Sequence, residues 1–296
     1  MKINSAFLLT AFAALIWGAT APIMKLTLQE VPVFSLAFIR MSLASLILAS
    51  IIFSKLKIKK RDLPMLSLAA LTGVTLNLAF FFLGLKLTQA INASFLVAAV
   101  PIFTILAAHF YLKEKFNSRL ILASLIAFAG VALIIGKPYA GVSSRELVGN
   151  FLLLLATLSW VAHEIFAKKL LKTYDGGTVA FYSMAIGALT FLPLALLEFV
   201  KNPNWINQVT LSGFMGILYG IFFASLIAYW AWQKGLSLLP AGQAAFFFYL
   251  DPISGTILAI ILLGEKLTPQ LILGGILIAV AVLLIEHKRR AHSLHQ

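Results

Sequence analysis

The sequence predicts an all-α integral membrane protein of ten transmembrane helices, built as two inverted five-helix repeats. Three observations lead there. Ten apolar stretches follow one another with short polar breaks, the second half repeats the first, and the basic residues gather at alternate breaks.

Hydrocarbon offers backbone N–H and C=O groups no partner, so a run of about 20 apolar residues reads as a spanning helix. Such runs cover residues 5–27, 33–53, 64–87, 90–111, 119–136, 147–171, 178–199, 209–232, 241–263 and 269–286. Little chain remains for a soluble domain. The composition agrees, at 61% hydrophobic and 11% charged with a mean hydropathy of +0.99.

A net charge of +13 raises nucleic acid as a partner, but the placement of the charges argues against it. Lys55, Lys57, Lys59, Lys60 and Arg61 share one short loop, and Lys288, Arg289 and Arg290 follow the last stretch. Neither group has aromatic residues for stacking. The pattern fits topology instead, because short cytoplasmic loops carry the Lys and Arg excess. With the N-terminus inside, sixteen basic residues fall on the cytoplasmic side and six on the other. Both termini are therefore expected in the cytoplasm, in a multi-pass protein of the cell inner membrane.

With no cysteine, disulfides and thiolate chemistry are excluded. Lys2, the apolar run Phe7–Trp17 and the small residues Gly18 to Ala21 resemble a signal peptide. A later counterpart of the same segment makes the first spanning helix the better reading.

That counterpart belongs to a repeat. Residues 13–28 resemble 156–171 at an offset of 143, pairing Trp17 with Trp160 and Lys25 with Lys168. From the third helix the offset is 151, pairing Gly84 with Gly235, Ala90 with Ala241, Pro101 with Pro252, and Glu114-Lys115 with Glu265-Lys266. Shared Leu and Ala would mean little; shared Trp, Pro and Glu-Lys at two offsets mean more. The expected units are 1–140 and 141–296, the second with a short basic tail. Five helices is an odd number, so the second unit enters the membrane from the opposite side. Inverted repeats of this kind are common in secondary transporters, with a site near the midplane.

Three features carry a family resemblance: the five-helix repeats, the Trp17-Gly18 pair, and a run from proline to Glu-Lys in each half. The second such run ends Leu263-Gly-Glu-Lys-Leu-Thr268. Over essentially its whole length the chain resembles the EamA family of the drug/metabolite transporter superfamily. The resemblance implies a bundle around a central cavity and transport of amino acids, other metabolites or drugs, often outward. It implies no particular substrate.

Ionisable residues inside a membrane are rare and default to functional candidates. Asp251 lies ten residues from Ala241 and twelve from Leu263, too deep for so short a side chain to reach water. It faces a wet cavity or caps a kink. Pro252 beside it lacks an N–H, which leaves the carbonyl of Phe248 without its usual partner; Pro101 does the same for Val97. Both prolines are candidate hinges. Arg40, seven residues into the second helix, either snorkels outward or grips a carboxylate. Glu164 pairs with Lys168 at i,i+4 or serves transport. His163 lies one turn after Trp160 and could line the same face. Trp17, Trp160, Asn77, Tyr229, Trp230 and Tyr249 are candidate cavity walls or interfacial anchors, and Gly216-x-x-x-Gly220 suits close helix packing.

Asp251, Arg40, Trp17, Trp160, His163, Asn77 and Tyr249 form the expected substrate site, with no catalytic or metal-binding residues and no cofactor. The chain has no phosphate-binding loop, nucleophile motif or zinc pattern. The expected partners are a small-molecule substrate, the lipid bilayer and, as a coupling ion, protons. The leading expectation is an alternating-access exporter of amino acids or related metabolites. A cationic drug exporter is the alternative, ahead of a channel or membrane enzyme.

Overall fold

The computed structural model describes residues 3–113 and 143–293, with 122–123, 125–126, 129–130 and 133–134 between them. The expected span 119–136 and the pair Glu114-Lys115 fall largely or wholly outside these residues. Among the described residues every regular element is helical. Eight helices are long and apolar enough to cross a membrane: α1 (Ser5–Glu30), α2 (Val33–Ile52), α3 (Lys60–Leu87), α4 (Ala90–Leu112), α5 (Ser144–Leu170), α6 (Gly176–Lys201), α7 (Leu211–Leu238) and α8 (Ala241–Leu263). A further helix, α9 (Pro269–Ser293), opens with a shorter apolar run over Pro269–Ala281.

Helix ends need partners for their free N–H groups. Ser143 and Glu146 form a capping box on α5, and Asp175 accepts from the Gly177 N–H on α6. Three carboxylates do the same work from elsewhere in the chain. Glu265 accepts the Ala90 and Ile91 N–H groups at 2.8 and 2.9 Å. Glu198 accepts those of Phe34 and Ser35 at 3.1 and 2.7 Å, and Glu30 that of Thr210 at 2.7 Å. Each cap therefore also ties two spans together.

α2 packs along α6, α3 along α5, and α1 against both α7 and α8. Glycines permit the closest crossings. A Cβ on Gly84 of α3 would lie 2.8 Å from the Gly149 carbonyl of α5, and one on Gly255 of α8 would lie 2.9 Å from the Gly18 carbonyl of α1. The Gly216-x-x-x-Gly220 spacing receives two different groups, Thr27 at Gly216 and the Arg40 side chain at Gly220.

Four spans are irregular at mid-length. α3 and α7 contain π-helical segments, Leu71–Leu76 and Gly220–Ile227. α4 breaks at Ala98–Ala99 and resumes as Val100–Leu112; α8 passes through a 3₁₀ segment, Phe246–Leu250, and resumes as Asp251–Leu263. Pro101 and Pro252 each sit in the first turn of the resumed helix, where a missing N–H is harmless. This corrects one expectation. The Phe248 carbonyl is not left open, because the 3₁₀ turn lets it accept the Asp251 N–H. Left-handed residues then end both helices, Lys113 at φ 57° and Gly264 at φ 64°.

Candidate functional site

A cavity of about 100 Å³ lies where α1, α2, α3, α4, α5, α7 and α8 converge. Both broken helices present their resumed first turns to it, through Val100 on α4 and Asp251 on α8. A helix N-terminus carries partial positive charge, so each resumed start favours negative charge beside it. Asp251, 4% exposed, occupies one of these starts, with the Ser94 hydroxyl of α4 as its polar neighbour.

The π segment of α7 seats the opposite charge. Arg40 is 4% exposed, and its Nε donates to the Gly220 carbonyl at 3.2 Å and the Ser225 hydroxyl at 3.3 Å. The Ser225 hydroxyl also donates to that carbonyl, at 2.7 Å. Its guanidinium carbon lies 5.4 Å from the centre of the Phe82 ring. Arg40 therefore points into the bundle and lines the cavity rather than snorkelling outward.

Aromatic rings form the wall. Trp17 donates its indole N–H to the Ala224 carbonyl at 2.9 Å, again within the π segment. It meets Trp160 edge-on at 5.0 Å, Tyr229 at 6.0 Å, and stacks on Phe248 at 5.9 Å. Tyr229 donates to the Gly73 carbonyl at 3.2 Å, in the π segment of α3. Asn77 donates to the Ala156 carbonyl at 2.9 Å, which holds its amide against α5.

Of the seven residues expected at the site, the structure brings Trp17, Arg40, Asn77, Trp160 and Asp251 to this one cavity. His163 and Tyr249 are not among its lining residues. His163 is fully buried behind Trp160, between the Ala69 carbonyl at 2.8 Å and the Gln233 amide nitrogen at 2.7 Å. Tyr249 packs beside Phe246, and its hydroxyl is buried with no hydrogen-bond partner among the described residues.

Of the two expectations for Glu164, the structure does not show the pair with Lys168. Glu164 is fully buried and accepts a 2.5 Å hydrogen bond from Thr104, while Lys168 reaches the Leu236 and Leu239 carbonyls. The i,i+4 pair is replaced because each group finds a partner on a neighbouring helix. Thr20 and Thr157 line the cavity and were not singled out from the sequence. Each lies three residues from a tryptophan, on the same helix face, which was the available signal.

Known proteins supply the context. The profile of the EamA-like transporter family matches residues 4–136 and again 147–286. An uncharacterized transporter of Archaeoglobus fulgidus is 33% identical, covering 95% of this chain and 97% of its own. A probable terminal-alkyne amino-acid exporter of Streptantibioticus cattleyicolor is 28% identical, covering 97% and 95%. A crystal structure with 17% identity matches the fold at a TM-score of 0.69, covering 97% of this chain and 98% of the other.

Proposed function

The chain belongs to the EamA-like transporter family, and from that premise we propose that it exports a small zwitterion, an amino acid or close relative, across the bacterial inner membrane. The observation that carries the reading is the presence of Arg40 and Asp251 in the wall of one small cavity. A guanidinium presents donors to a carboxylate, and a carboxylate accepts from an ammonium. The cavity volume of about 100 Å³ suits a compact solute. The amino-acid exporter among the relatives points the same way.

Alternating access by two inverted five-helix repeats, 1–140 and 141–296, is supported by the double match of the family profile. Further support comes from features recurring at the 151-residue offset: the π segments, the breaks before Pro101 and Pro252, and the left-handed helix ends. Lys25 hydrogen-bonds the Thr88 carbonyl, and its counterpart Lys168 the Leu239 carbonyl. In this reading the two lysines close opposite ends of the bundle, and exchanging which one is engaged opens one side. Both termini then lie in the cytoplasm. Asp251 is also where a coupling proton would compete with the substrate ammonium.

Export of cationic amphiphiles is the second reading, favoured by the Trp17, Trp160 and Tyr229 rings beside Asp251. Arg40 opposes it, since a cation would meet a like charge in the same cavity. Counterflow in vesicles decides. Protein reconstituted with unlabelled amino acids inside should accumulate labelled amino acid in a saturable way, and cationic dyes should neither drive nor block it. Dye flux without amino-acid counterflow would sink the zwitterion reading, and unsaturable flux would sink the carrier.

A further inference from the structure

The loop after α2 lies at the end of the bundle. From Leu56 to Lys59 the chain lacks regular structure, yet its backbone is held in place. Tyr182 donates its hydroxyl to the Leu56 carbonyl at 2.9 Å. The Tyr174 hydroxyl accepts the Lys59 N–H at 3.1 Å and donates to Asp62 at 2.5 Å. Leu56 and Ile58 pack against the core, while Lys57 and Lys59 are exposed. The alternation points both lysines to the same side.

A groove of about 560 Å³ opens there, lined by Lys57, Lys59, Thr173, Tyr174, Asp175 and Thr178. Asp175, the carboxylate among the described lining residues, is engaged elsewhere: it accepts the Gly177 N–H and pairs with Lys234 at 2.6 Å. The groove sits where α2 ends and α6 begins, at the ends of two apolar spans. Leading to it, the end of α2 and the residue after it expose apolar side chains, with Ile51 69% and Phe53 81% accessible.

We propose that this groove holds the headgroup of an anionic phospholipid, its phosphate between Lys57 and Lys59 and its acyl chains along α2. Two exposed lysines on a backbone held in place suit a phosphate diester. The bilayer around α2 makes a lipid the phosphate diester nearest to the groove, and Ile51 and Phe53 offer its acyl chains apolar contact.

The test reads binding and does not depend on transport. Delipidated protein in neutral detergent is titrated with phosphatidylglycerol or phosphatidylcholine, following native mass spectra and melting temperature. Phosphatidylglycerol should bind and stabilise, and phosphatidylcholine should not. Lys57→Gln with Lys59→Gln should weaken binding roughly thirtyfold, about fivefold per lysine. Lys60→Gln with Arg61→Gln, which alters charges outside the groove, should change it by less than about threefold. Equal losses in both double variants would reduce the effect to general surface charge and overturn the proposal. An equal shift with inorganic phosphate or glycerol phosphate would overturn the lipid. If the glutamine variant melts early without lipid, Lys57→Arg with Lys59→Arg must retain binding, and failure to do so is also decisive.

Discussion

The Lys25 ammonium lies 3.7 Å from the Glu265 carboxylate, joining α1 to the segment that follows α8. The same carboxylate accepts two N–H groups at the start of α4, so one acid ties three spans at one end of the bundle. Its side chain is only 8% exposed, which places this contact among buried pairs rather than solvated surface ones.

Replacing Glu265 by Ala should therefore open this end. Two buried N–H groups lose their acceptor, at about 1–3 kcal/mol each. Hydrogen exchange at Ala90 and Ile91 should accelerate by roughly tenfold or more. Unchanged protection there would show that the carboxylate is not what holds the end closed.

Asp251→Asn keeps size and hydrogen bonding but removes the charge facing the cavity. Transport should fall about tenfold or more, equivalent to about 1.4 kcal/mol, with little change in melting temperature. Full transport at every pH would remove Asp251 from the mechanism.

Gly220→Ala tests Arg40 without altering its charge. The added Cβ would lie 2.7 Å from Arg40 Cδ, so the guanidinium must shift from its place on the π segment. The apparent affinity for an amino-acid substrate should fall while the protein still inserts and folds. Unchanged affinity would mean that the position of Arg40 is irrelevant to binding.

Pro252→Ala should be cheap for folding, because the proline occupies a first-turn position where its ring breaks no helix bond. The new N–H can compete for the Phe248 carbonyl and draw the 3₁₀ segment toward a continuous helix. Stability should hold within about 1 kcal/mol, and transport should slow. A large loss of stability with normal specific transport would make the break a packing feature.

Tyr174 lies between α5 and α6, and the Asp62 carboxylate beside it raises its phenol above the ordinary tyrosine value. A raised value in the folded state means the bond stabilises the loop at neutral pH and is lost as the pH climbs through that value, above about 10. Proteolysis of the 53–62 loop should increase in that alkaline window. Tyr174→Phe should show the increase already at neutral pH, and equal cleavage rates in the two proteins would exclude the bond as the anchor.

Much of the architecture was legible because spanning helices announce themselves locally. The stretch 241–263 coincides with α8, and 33–53 ends one residue beyond α2. Asp251, Arg40 and the two tryptophans also stood out, since polar or bulky residues in apolar surroundings are conspicuous. Less visible was the company they keep. The pairing of Glu164 with Lys168 was reasonable on one helix, yet Thr104 from α4 approaches the acid, and the carbonyls of Leu236 in α7 and Leu239 just beyond it capture the lysine. His163 shares a helix face with Trp160 but sits one layer behind it, held by Gln233. The π segments left no mark in composition, because their irregularity answers contacts made by Arg40, Trp17 and Tyr229.

By itself the sequence determined that this chain lies in a membrane, and roughly where the eight described spans begin and end. Transfer of apolar residues to lipid is additive along the chain and requires no knowledge of neighbours. Only the tertiary structure decided that Arg40 and Asp251 share a cavity, that Glu265 caps α4, and that Phe248 keeps a partner. Each of those contacts joins residues far apart in sequence, and its existence depends on how closely two helices approach. That distance is set by small residues at the crossings, such as Gly18 and Gly255, whose effect appears only once the helices are packed.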